Sequence, residues 1–437
     1  MKMLNRMTFV AAIFFFLAGT FEAMAAEKIS FYFATSVQGA LAKKMTKMVD
    51  QYNDSQNEVE VVASFTGSYA ETKTKASAAV RAGKPPEISM MSANLIHEFV
   101  AEDQVEAIEN FLGETTQAEF LNDFWPGVHA NASVNGKLYA IPLQNSTPLL
   151  FINADHFREV GLDPNNPPSN WDELVDVGKK LIKKDGDKTI RYGLMMPQQA
   201  HYGTWIMQAF VMANGGQWFN AEYPGEVYYD SSAARGTLQF YSDLAHEYGI
   251  IPASVTHSSQ VSTDFFSGRT SMMIVSTGAL GNVRENASFD YRVGFVPGNV
   301  RNAVPVGGAS VMIFKGLTPE KRAAAWKFAS WLTSAEQLGS WSRATGYFSP
   351  RKSSYDLPVM KAFMVKHPDA GVALDQLQFT KPWYGTYKTF AVDIPMSDAM
   401  QAVVSGKKSV DEAATEAQAK AVALLKPYNK ALGYTQK

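Results

Sequence analysis

The chain has 437 residues, no cysteine, and 42 acidic against 40 basic side chains. A chain of this length exceeds one ordinary hydrophobic core and predicts two domains. The absence of cysteine excludes disulfides and a thiol nucleophile, and a near-neutral charge without a basic block argues against nucleic acid or anionic lipid as a partner.

The first 25 residues have the three-part pattern of a cleaved signal peptide. A basic start, MKMLNR, precedes the apolar run MTFVAAIFFFLAGTF, and Ala23-Met24-Ala25 places small residues at the recognition positions. The apolar run is short for a membrane span, and no cysteine follows it to carry a lipid. We therefore predict export to the periplasm without a lipid anchor; a retained N-terminal anchor is the alternative.

The following segment alternates between strand and helix patterns. Ile29, Phe31 and Phe33 alternate as in a strand, a helically spaced run starts at Leu41, and EVEVVASF alternates again. A second helix is predicted over residues 70–82, before the apolar strand EISMMSA. This alternation predicts an α/β fold with a mostly parallel sheet, in which ligands bind beyond the carboxyl ends of the strands.

Two apolar strands are interrupted by polar residues in the same way. IPLQNSTPLLFIN and MMIVSTGALGN both run apolar, then Ser-Thr, then Pro or Gly. Polar residues Gln144 to Thr147 must either find hydrogen-bond partners or face a water-filled space. The pattern is expected where a chain crosses between two lobes and exposes polar side chains in the cleft. Each Ser-Thr pair is equally compatible with a turn or a helix cap.

The remaining segments are mostly helical. In SNWDELVDVGKKLIKK, Ser169 or Asn170 can cap the helix, and Glu173 lies three residues beyond Asn170, as a capping box requires. Residues 185–270 are rich in helix patterns. VGGASVMIF predicts a further strand, and PEKRAAAWKFASWLTSAEQLGSW predicts an amphipathic helix.

Several segments together resemble a known family. In order and spacing, QNSTPLLFINADHFREVGLDPNNPPSNWDEL, ANGGQWFN, MMIVSTGALGNVRE, VGGASVMIF and ATGYFSPRKSSYD are similar to extracellular solute-binding proteins of ABC importers. The resemblance is to the group of maltose- and glycerol-3-phosphate-binding proteins, and GSYAETKTKASAAVRAGKPPEI is most similar to the latter. It implies a type II, Venus-flytrap fold with two α/β lobes joined by hinge strands. We expect residues 26–144 plus about 277–332 in lobe 1, and 145–276 plus about 333–437 in lobe 2.

The resemblance also implies a set of ligand contacts. They fall on Tyr69, Ser146, Ser276, Gly308 and Tyr347, with Trp171 as an aromatic wall and Gln144 on the cleft floor. Hydroxyl groups can donate or accept hydrogen bonds, and a glycine lets the backbone approach a ligand closely. Each residue also has a purely structural explanation as a turn former, a helix start or a packing residue.

Two positions depart from the family pattern. The acidic residue that contacts ligand hydroxyls falls on Ala93 or its neighbour Ser92, and the phosphate-binding arginine falls near Asp393, or alternatively Asp398. A carboxylate repels phosphate, and losing a charge-assisted contact in a closed cleft costs roughly 2–5 kcal/mol. The candidate replacements are Lys381 and Lys388. A neutral sugar or polyol, glycerol 3-phosphate, and a phosphodiester with a cationic head therefore all stay open.

The predicted function is capture of a small polyol or carbohydrate-type solute by a monomer without cofactor or metal. The expected partners are ABC permease subunits with their ATPase. The sequence has no His-Glu-x-x-His pair, phosphate loop or Gly-x-Ser-x-Gly elbow, so we do not expect an enzyme. The two facing carboxylates of a glycan-acting enzyme could come from any part of the chain. A chemoreceptor or adaptor on the same scaffold is also left open.

Overall fold

The computed structural model describes residues 26–35 and 40–433, so the predicted signal peptide lies outside the described residues. The strands are β1 Glu27–Phe33, β2 Val59–Phe65, β3 Ile88–Ser92, β4 Ser133–Val134, β5 Lys137–Leu138, β6 Ile141–Ser146, β7 Pro148–Asn153, β8 Lys183–Asp185, β9 Lys188–Met195, β10 Thr270–Ser276, β11 Tyr291–Gly294, β12 Val304–Pro305, β13 Gly307–Ile313 and β14 Thr380–Lys381. The α-helices are α1 Leu41–Ser55, α2 Tyr69–Arg81, α3 Ile96–Ala101, α4 Glu114–Asn122, α5 Pro126–Asn131, α6 Ala154–Glu159, α7 Trp171–Leu181, α8 Tyr202–Ala213, α9 Ser232–His246, α10 Ser258–Phe266, α11 Leu280–Asn286, α12 Pro319–Leu332, α13 Ala335–Thr345, α14 Pro358–Lys366, α15 Asp369–Asp375, α16 Thr389–Val404 and α17 Val410–Ala431.

The first sheet contains the strands predicted near the start of the chain. Its order is β2-β1-β3-β13-β6, and β1 pairs in parallel with both β2 and β3. Ile29, Phe31 and Phe33 are buried from the same face of β1, as their alternation predicts. β13 then pairs antiparallel with β3 and β6, so the sheet is parallel on one side only.

The second sheet is mostly antiparallel. Its order is β11-β7-β10-β9-β8, and only β9 and β10 pair in parallel. β7 follows β6 after the single residue Thr147, so it enters this sheet directly from the first. Its neighbours β10 and β11 lie far from it along the chain, and both pair with it antiparallel.

Side chains on both faces of the second sheet are buried. Leu150 and Ile152 of β7 belong to one apolar cluster with helices α8, α9, α16 and α17, whereas Leu149 and Phe151 belong to another with α10 and α11. Because successive strand residues point to opposite faces, the continuous apolar run of β7 follows from this double covering. The polar residues before β7 therefore lie at the end of this strand that connects to the first sheet.

The two sheets mark two lobes, each with an apolar core of its own. The lobe boundaries given above stay a prediction, and the pairing of the strands and the packing of α13 suggest two changes to them. β11 pairs with β7 in the second sheet, and α13 packs on the first core through Leu338 and Trp341. We propose that residues 291–294 count with lobe 2 and residues 335–345 with lobe 1. Among the described helices, none has the length and apolar character needed to span a bilayer.

Candidate ligand-binding cleft

A cavity of about 360 Å³ lies between the facing ends of the two sheets. Residues from both lobes line it, and most of them are hydroxyl-bearing or aromatic. They are Thr35, Ser68, Tyr69, Ala70, Ser92, Ser146, Gln199, Ala200, His201, Tyr202, Trp205, Ser276, Gly308, Tyr347, Trp383 and Phe390. Of the residues named from the sequence, the structure thus brings together Tyr69, Ser92, Ser146, Ser276, Gly308 and Tyr347.

Neighbouring strands of the first sheet form one wall. Ser92 ends β3, Ser146 ends β6, and Gly308 lies between them on β13, opposite Asn145. Gly308 has φ of 107°, and an added Cβ would lie 1.9 Å from the carbonyl oxygen of Gln144. Only glycine fits this conformation and this spacing, which leaves the backbone open to the cavity. Ala93, the alternative to Ser92, is buried and does not line the cavity.

Tyr69 is positioned by a helix cap and by the interrupted strand. It is the first residue of α2, whose preceding Ser68 accepts a hydrogen bond from the Glu71 N–H while Glu71 accepts from Ser68. Gln144 donates from Nε2 to the Tyr69 hydroxyl over 3.0 Å. Gln144 itself does not line the cavity, so it lies behind Tyr69 rather than on the cleft floor.

The polar run between the two strands is buried, and its members have different partners. Asn145 donates to the Gly307 carbonyl over 3.3 Å, and Thr147 Oγ1 accepts from Gln376 over 2.8 Å. Ser146 lines the cavity. Part of the run is therefore satisfied within the crossing between lobes, and one hydroxyl faces the water-filled space.

The opposite wall comes from the second lobe. Ser276 ends β10 opposite Pro148, its Oγ accepts from the Gly278 N–H over 3.1 Å, and its own N–H donates to the Tyr202 hydroxyl over 2.8 Å. Burial raises the pKa of Tyr202, so this hydroxyl stays neutral. Ser276 and Ser146, the serines of the two Ser-Thr pairs, thus face one shared gap.

Trp171 lies outside the cavity, which corrects the expected aromatic wall. It is the first residue of α7, and its ring stacks on Phe240 with centroids 4.1 Å apart and an interplanar angle of 12°. Its backbone N–H donates to the Gly298 carbonyl, so both its ring and its backbone face the core of the second lobe. The tryptophans that line the cleft are Trp205 and Trp383, whose rings lie 6.1 Å apart.

Asp393, predicted near the place of a phosphate-binding arginine, also does not line the cavity. It is 9% exposed on α16 and accepts hydrogen bonds from Thr204 Oγ1 over 2.6 Å and from His201 Nδ1 over 2.9 Å. His201 does line the cavity, so Asp393 stands one layer behind it. The alternative residue, Asp398, is exposed farther along the same helix.

Among the described residues, those that line the cleft include neither lysine nor arginine. Lys381 is exposed on β14, and Lys388 lies 5.5 Å from the ring of Tyr387 beside a separate cavity. Neither candidate replacement for the arginine therefore reaches the cleft wall. Within the described ranges there is also no group of three or more His, Asp or Glu side chains arranged for a metal ion.

Sequence reasoning missed a polar segment that contributes much of the second wall. Gln199, His201, Tyr202 and Trp205 follow the apolar end of β9 and lead into α8. The letters YGLMMPQQAHYGTW carry the same signal as the two interrupted strands, an apolar run that ends in proline and polar residues. Trp383 and Phe390 had no comparable signal, because they reach the cleft only through the packing of α16 and the segment before it.

Comparison with known proteins gives consistent results. The model of the family described as bacterial extracellular solute-binding protein matches residues 47–371. The sn-glycerol-3-phosphate-binding periplasmic protein UgpB of Escherichia coli K12 is 26% identical over 415 residues, which are 90% of this chain and 92% of that protein.

Solved structures of such proteins have the same fold. UgpB from Mycobacterium tuberculosis in complex with glycerophosphocholine superposes with a TM-score of 0.81 at 23% identity, over 92% of this chain and all of that chain. Maltose-bound MalE3 of T. maritima has a TM-score of 0.79 at 22% identity, over 91% of this chain and all of that chain. The predicted two-lobed α/β fold and the family resemblance are confirmed.

Proposed function

Because the chain belongs to the bacterial extracellular solute-binding protein family, we propose that it is the periplasmic binding component of an ABC importer for a neutral polyol or saccharide. The observation that carries the choice of solute is that the cleft lining, in the part of the chain that the structure describes, contains hydroxyl and aromatic side chains but no lysine or arginine. A phosphate that leaves water needs charge-assisted hydrogen bonds in exchange, whereas hydroxyl groups need only neutral donors and acceptors.

The helix N-termini at the cleft do not supply the missing positive charge. An N-terminus attracts anions, but Glu71 already caps α2, and the amides of Thr389 and Phe390 at the start of α16 already stabilise the carboxylate of Glu98. Asp393 lies beside the first turn of α8 through its bond to Thr204. The protein's own carboxylates therefore take the places that a solute phosphate would need.

The size and the walls of the cleft suit a small sugar or polyol. At ~30 Å³ per water, a volume of about 360 Å³ holds roughly twelve water molecules, which is at the small end of ligand sites. Tyr69, Tyr347 and Trp383 offer aromatic faces for C–H groups, and Ser146 and Ser276 offer hydroxyls from opposite lobes. A solute bonded to both serines would hold the lobes together.

Glycerol 3-phosphate or a glycerophosphodiester is the second candidate. It is favoured by the ligands of the two UgpB relatives, sn-glycerol 3-phosphate and glycerophosphocholine. It would have to bind without a cationic side chain on the cleft wall, at a cost of about two to three decades of affinity. A glycan-acting enzyme finds no support in the family, whose members and neighbours are solute-binding proteins.

The proposed mechanism is capture by closure. A solute that binds the closed form better than the open form shifts the population toward closure. The closed monomer then docks on membrane permease subunits, which release the solute with ATP hydrolysis by their partner. Export through the cleaved N-terminal segment would place the protein in the periplasm.

Purification without added solute, followed by native mass spectrometry, is the direct test. Calorimetry with maltose, glycerol, glycerol 3-phosphate and glycerophosphocholine would follow, with a Ser146→Ala, Ser276→Ala double variant as control. We expect a neutral compound to bind and the double variant to lose most of that affinity. Tight binding of glycerol 3-phosphate alone would contradict the proposed solute class.

A further inference from the structure

We propose that His201 contacts the solute directly and that Asp393, held behind it, makes the cleft reject anionic solutes. This inference rests on the proposed function, since it names the side chains that select the solute in the same cleft. It assigns a ligand contact to His201 and a specificity role to Asp393, in place of the direct contact first expected of that aspartate.

Two contacts of the ring and the backbone conformation of His201 fix the orientation of the imidazole. Nδ1 lies 2.9 Å from Asp393 Oδ2, and the ring stacks on Phe390 with centroids 3.9 Å apart and an interplanar angle of 21°. His201 precedes α8 with φ of 67°, a conformation that is uncommon outside glycine and often occurs at functional sites. The side chain is thus held against the cavity rather than free to rotate.

The hydrogen bond to Asp393 leaves one ring nitrogen for the solute. A carboxylate oxygen only accepts, so Nδ1 must carry the proton in this contact. No hydrogen bond joins Nε2 to another residue in the described part of the chain. Because His201 lines the cavity, Nε2 of the neutral ring is available to accept a hydrogen bond from a solute hydroxyl.

Asp393 has no lysine or arginine partner among the described residues. Its oxygen Oδ2 accepts both the Thr204 and the His201 hydrogen bonds. The other titratable groups near it are Tyr229 and Tyr384, whose pKa values burial raises, so both stay neutral. The first turn of α8 offsets part of this charge. Without a cationic side-chain partner, the buried carboxylate still gives the adjoining cleft a negative potential, which falls slowly with distance away from bulk water.

The two residues therefore act together on solute choice. A neutral solute gains the Nε2 hydrogen bond without meeting net charge, whereas a phosphate at the same place faces the carboxylate behind the ring. For a separation of roughly 7–8 Å and partial screening, one unit of repulsion corresponds to about tenfold in affinity.

The test compares Asp393→Asn, His201→Gln and the control Asp398→Asn, an exposed aspartate on the same helix. Calorimetry would measure the affinity of each variant, and of the wild type, for glycerol 3-phosphate and for maltose. We expect Asp393→Asn to raise the affinity for glycerol 3-phosphate about tenfold relative to the affinity for maltose. His201→Gln should lower maltose affinity about tenfold, and Asp398→Asn should leave both unchanged.

The outcomes separate this inference from the proposed function. An Asp393→Asn protein with unchanged affinity for glycerol 3-phosphate relative to that for maltose, or a His201→Gln protein with unchanged affinity for maltose, overturns the inference alone. A wild-type protein that binds only phosphorylated probes overturns the proposed solute class. If a variant fails to fold, ¹⁵N spectra of the wild-type imidazole decide: a shift of Nε2 on adding maltose supports the contact, and an unmoved Nε2 excludes it.

Discussion

Gly308 is the residue at which the backbone constraint is most severe. Its φ of 107° and the 1.9 Å distance from an added Cβ to the Gln144 oxygen leave no room for alanine. We expect Gly308→Ala to lower the free energy of unfolding by about 1–3 kcal/mol, because β13 must move away from β6. Solute binding should fall as well, since this contact shapes the cleft wall.

Gly316→Ala is the matched control for this substitution. Gly316 also has positive φ, 81°, but an added Cβ there meets no atom within 4 Å. Denaturant unfolding and calorimetry of both variants would therefore separate the cost of the dihedral from the cost of the close approach. Equal losses in the two variants would contradict a special role for position 308.

The two kinds of tryptophan give a second test at the residue scale. Trp171 stacks within the core, so Trp171→Ala should cost about 3–5 kcal/mol of stability through the cavity it leaves. Trp383 is partly buried on the cleft wall, so Trp383→Ala should lower solute affinity more than stability. Thermal unfolding and calorimetry on both variants check this; a Trp171→Ala protein of normal stability and weakened binding would reverse the assignment.

At the scale of elements, one ion pair joins α4 to the segment after α13. Arg351, 8% exposed, lies over the rings of Phe120 and Phe124 and donates to Asp123 over 3.1 Å. Although burial opposes it, bonds from Ser353 and Arg351 hold the pKa of Asp123 below its ordinary value. The pair therefore contributes stability above the ordinary carboxyl pKa and loses it as the pH falls through the lowered value.

Removing that carboxylate leaves a buried guanidinium without its charge partner. We expect Asp123→Asn to lower the free energy of unfolding by about 3 kcal/mol. Asp356→Asn is the control, because Asp356 and Lys361 are 3.9 Å apart and well exposed, and such pairs contribute about 0–0.5 kcal/mol. Urea unfolding at neutral pH measures both; a loss of equal size in the two variants would exclude a special contribution from Asp123.

The elements that depend on local signals could be predicted from the sequence. The predicted helix over residues 70–82 is α2, Tyr69–Arg81, and Asn170 caps α7 as its spacing indicated. The mostly antiparallel second sheet could not, because β7 pairs with β10 and β11, which lie far from it along the chain. The packing of Trp171 could not be predicted either, since its position at the start of a helix does not indicate whether its ring faces the core or the cleft.

Cleft residues could be predicted where two segments share one sequence pattern. They could not be predicted where side chains far apart in the sequence come together. Ser146 and Ser276 follow matching apolar strands, and both line the cavity. His201 and Asp393 are 192 positions apart, and only the packing of α16 beside α8 brings their side chains together. A single sequence carries no signal for such a long-range pair, so the aspartate was noticed only as a departure from the family.

At the scale of the whole molecule, two histidines make stability depend on pH. Burial lowers the pKa of His97, in lobe 1, and of His156, in lobe 2, to about 4. The unfolded chain, with an ordinary value near 6.5, binds protons between pH 6.5 and 4 that the folded chain does not. The stability that the two neutral histidines contribute is therefore complete above pH 6.5 and is lost as the pH falls toward 4.

We expect the free energy of unfolding to fall by about 1–2 kcal/mol per buried histidine between pH 7 and pH 5. His156→Gln should show a smaller decline over this interval than the wild type, whereas substitution of the exposed His257 should not change it. Denaturant titrations at several pH values provide the measurement. A decline in His156→Gln as steep as in the wild type would rule out this source.

The placement of Trp205 and Trp383 as neighbouring rings on the lining of the same small gap has a practical consequence. Indole emission changes colour and yield when water around the ring is displaced, so occupancy should be visible in the ultraviolet fluorescence of the unlabelled chain. The molecule thus carries its own optical reporter, and a library of candidate nutrients could be screened in a plate reader before any of them has been identified.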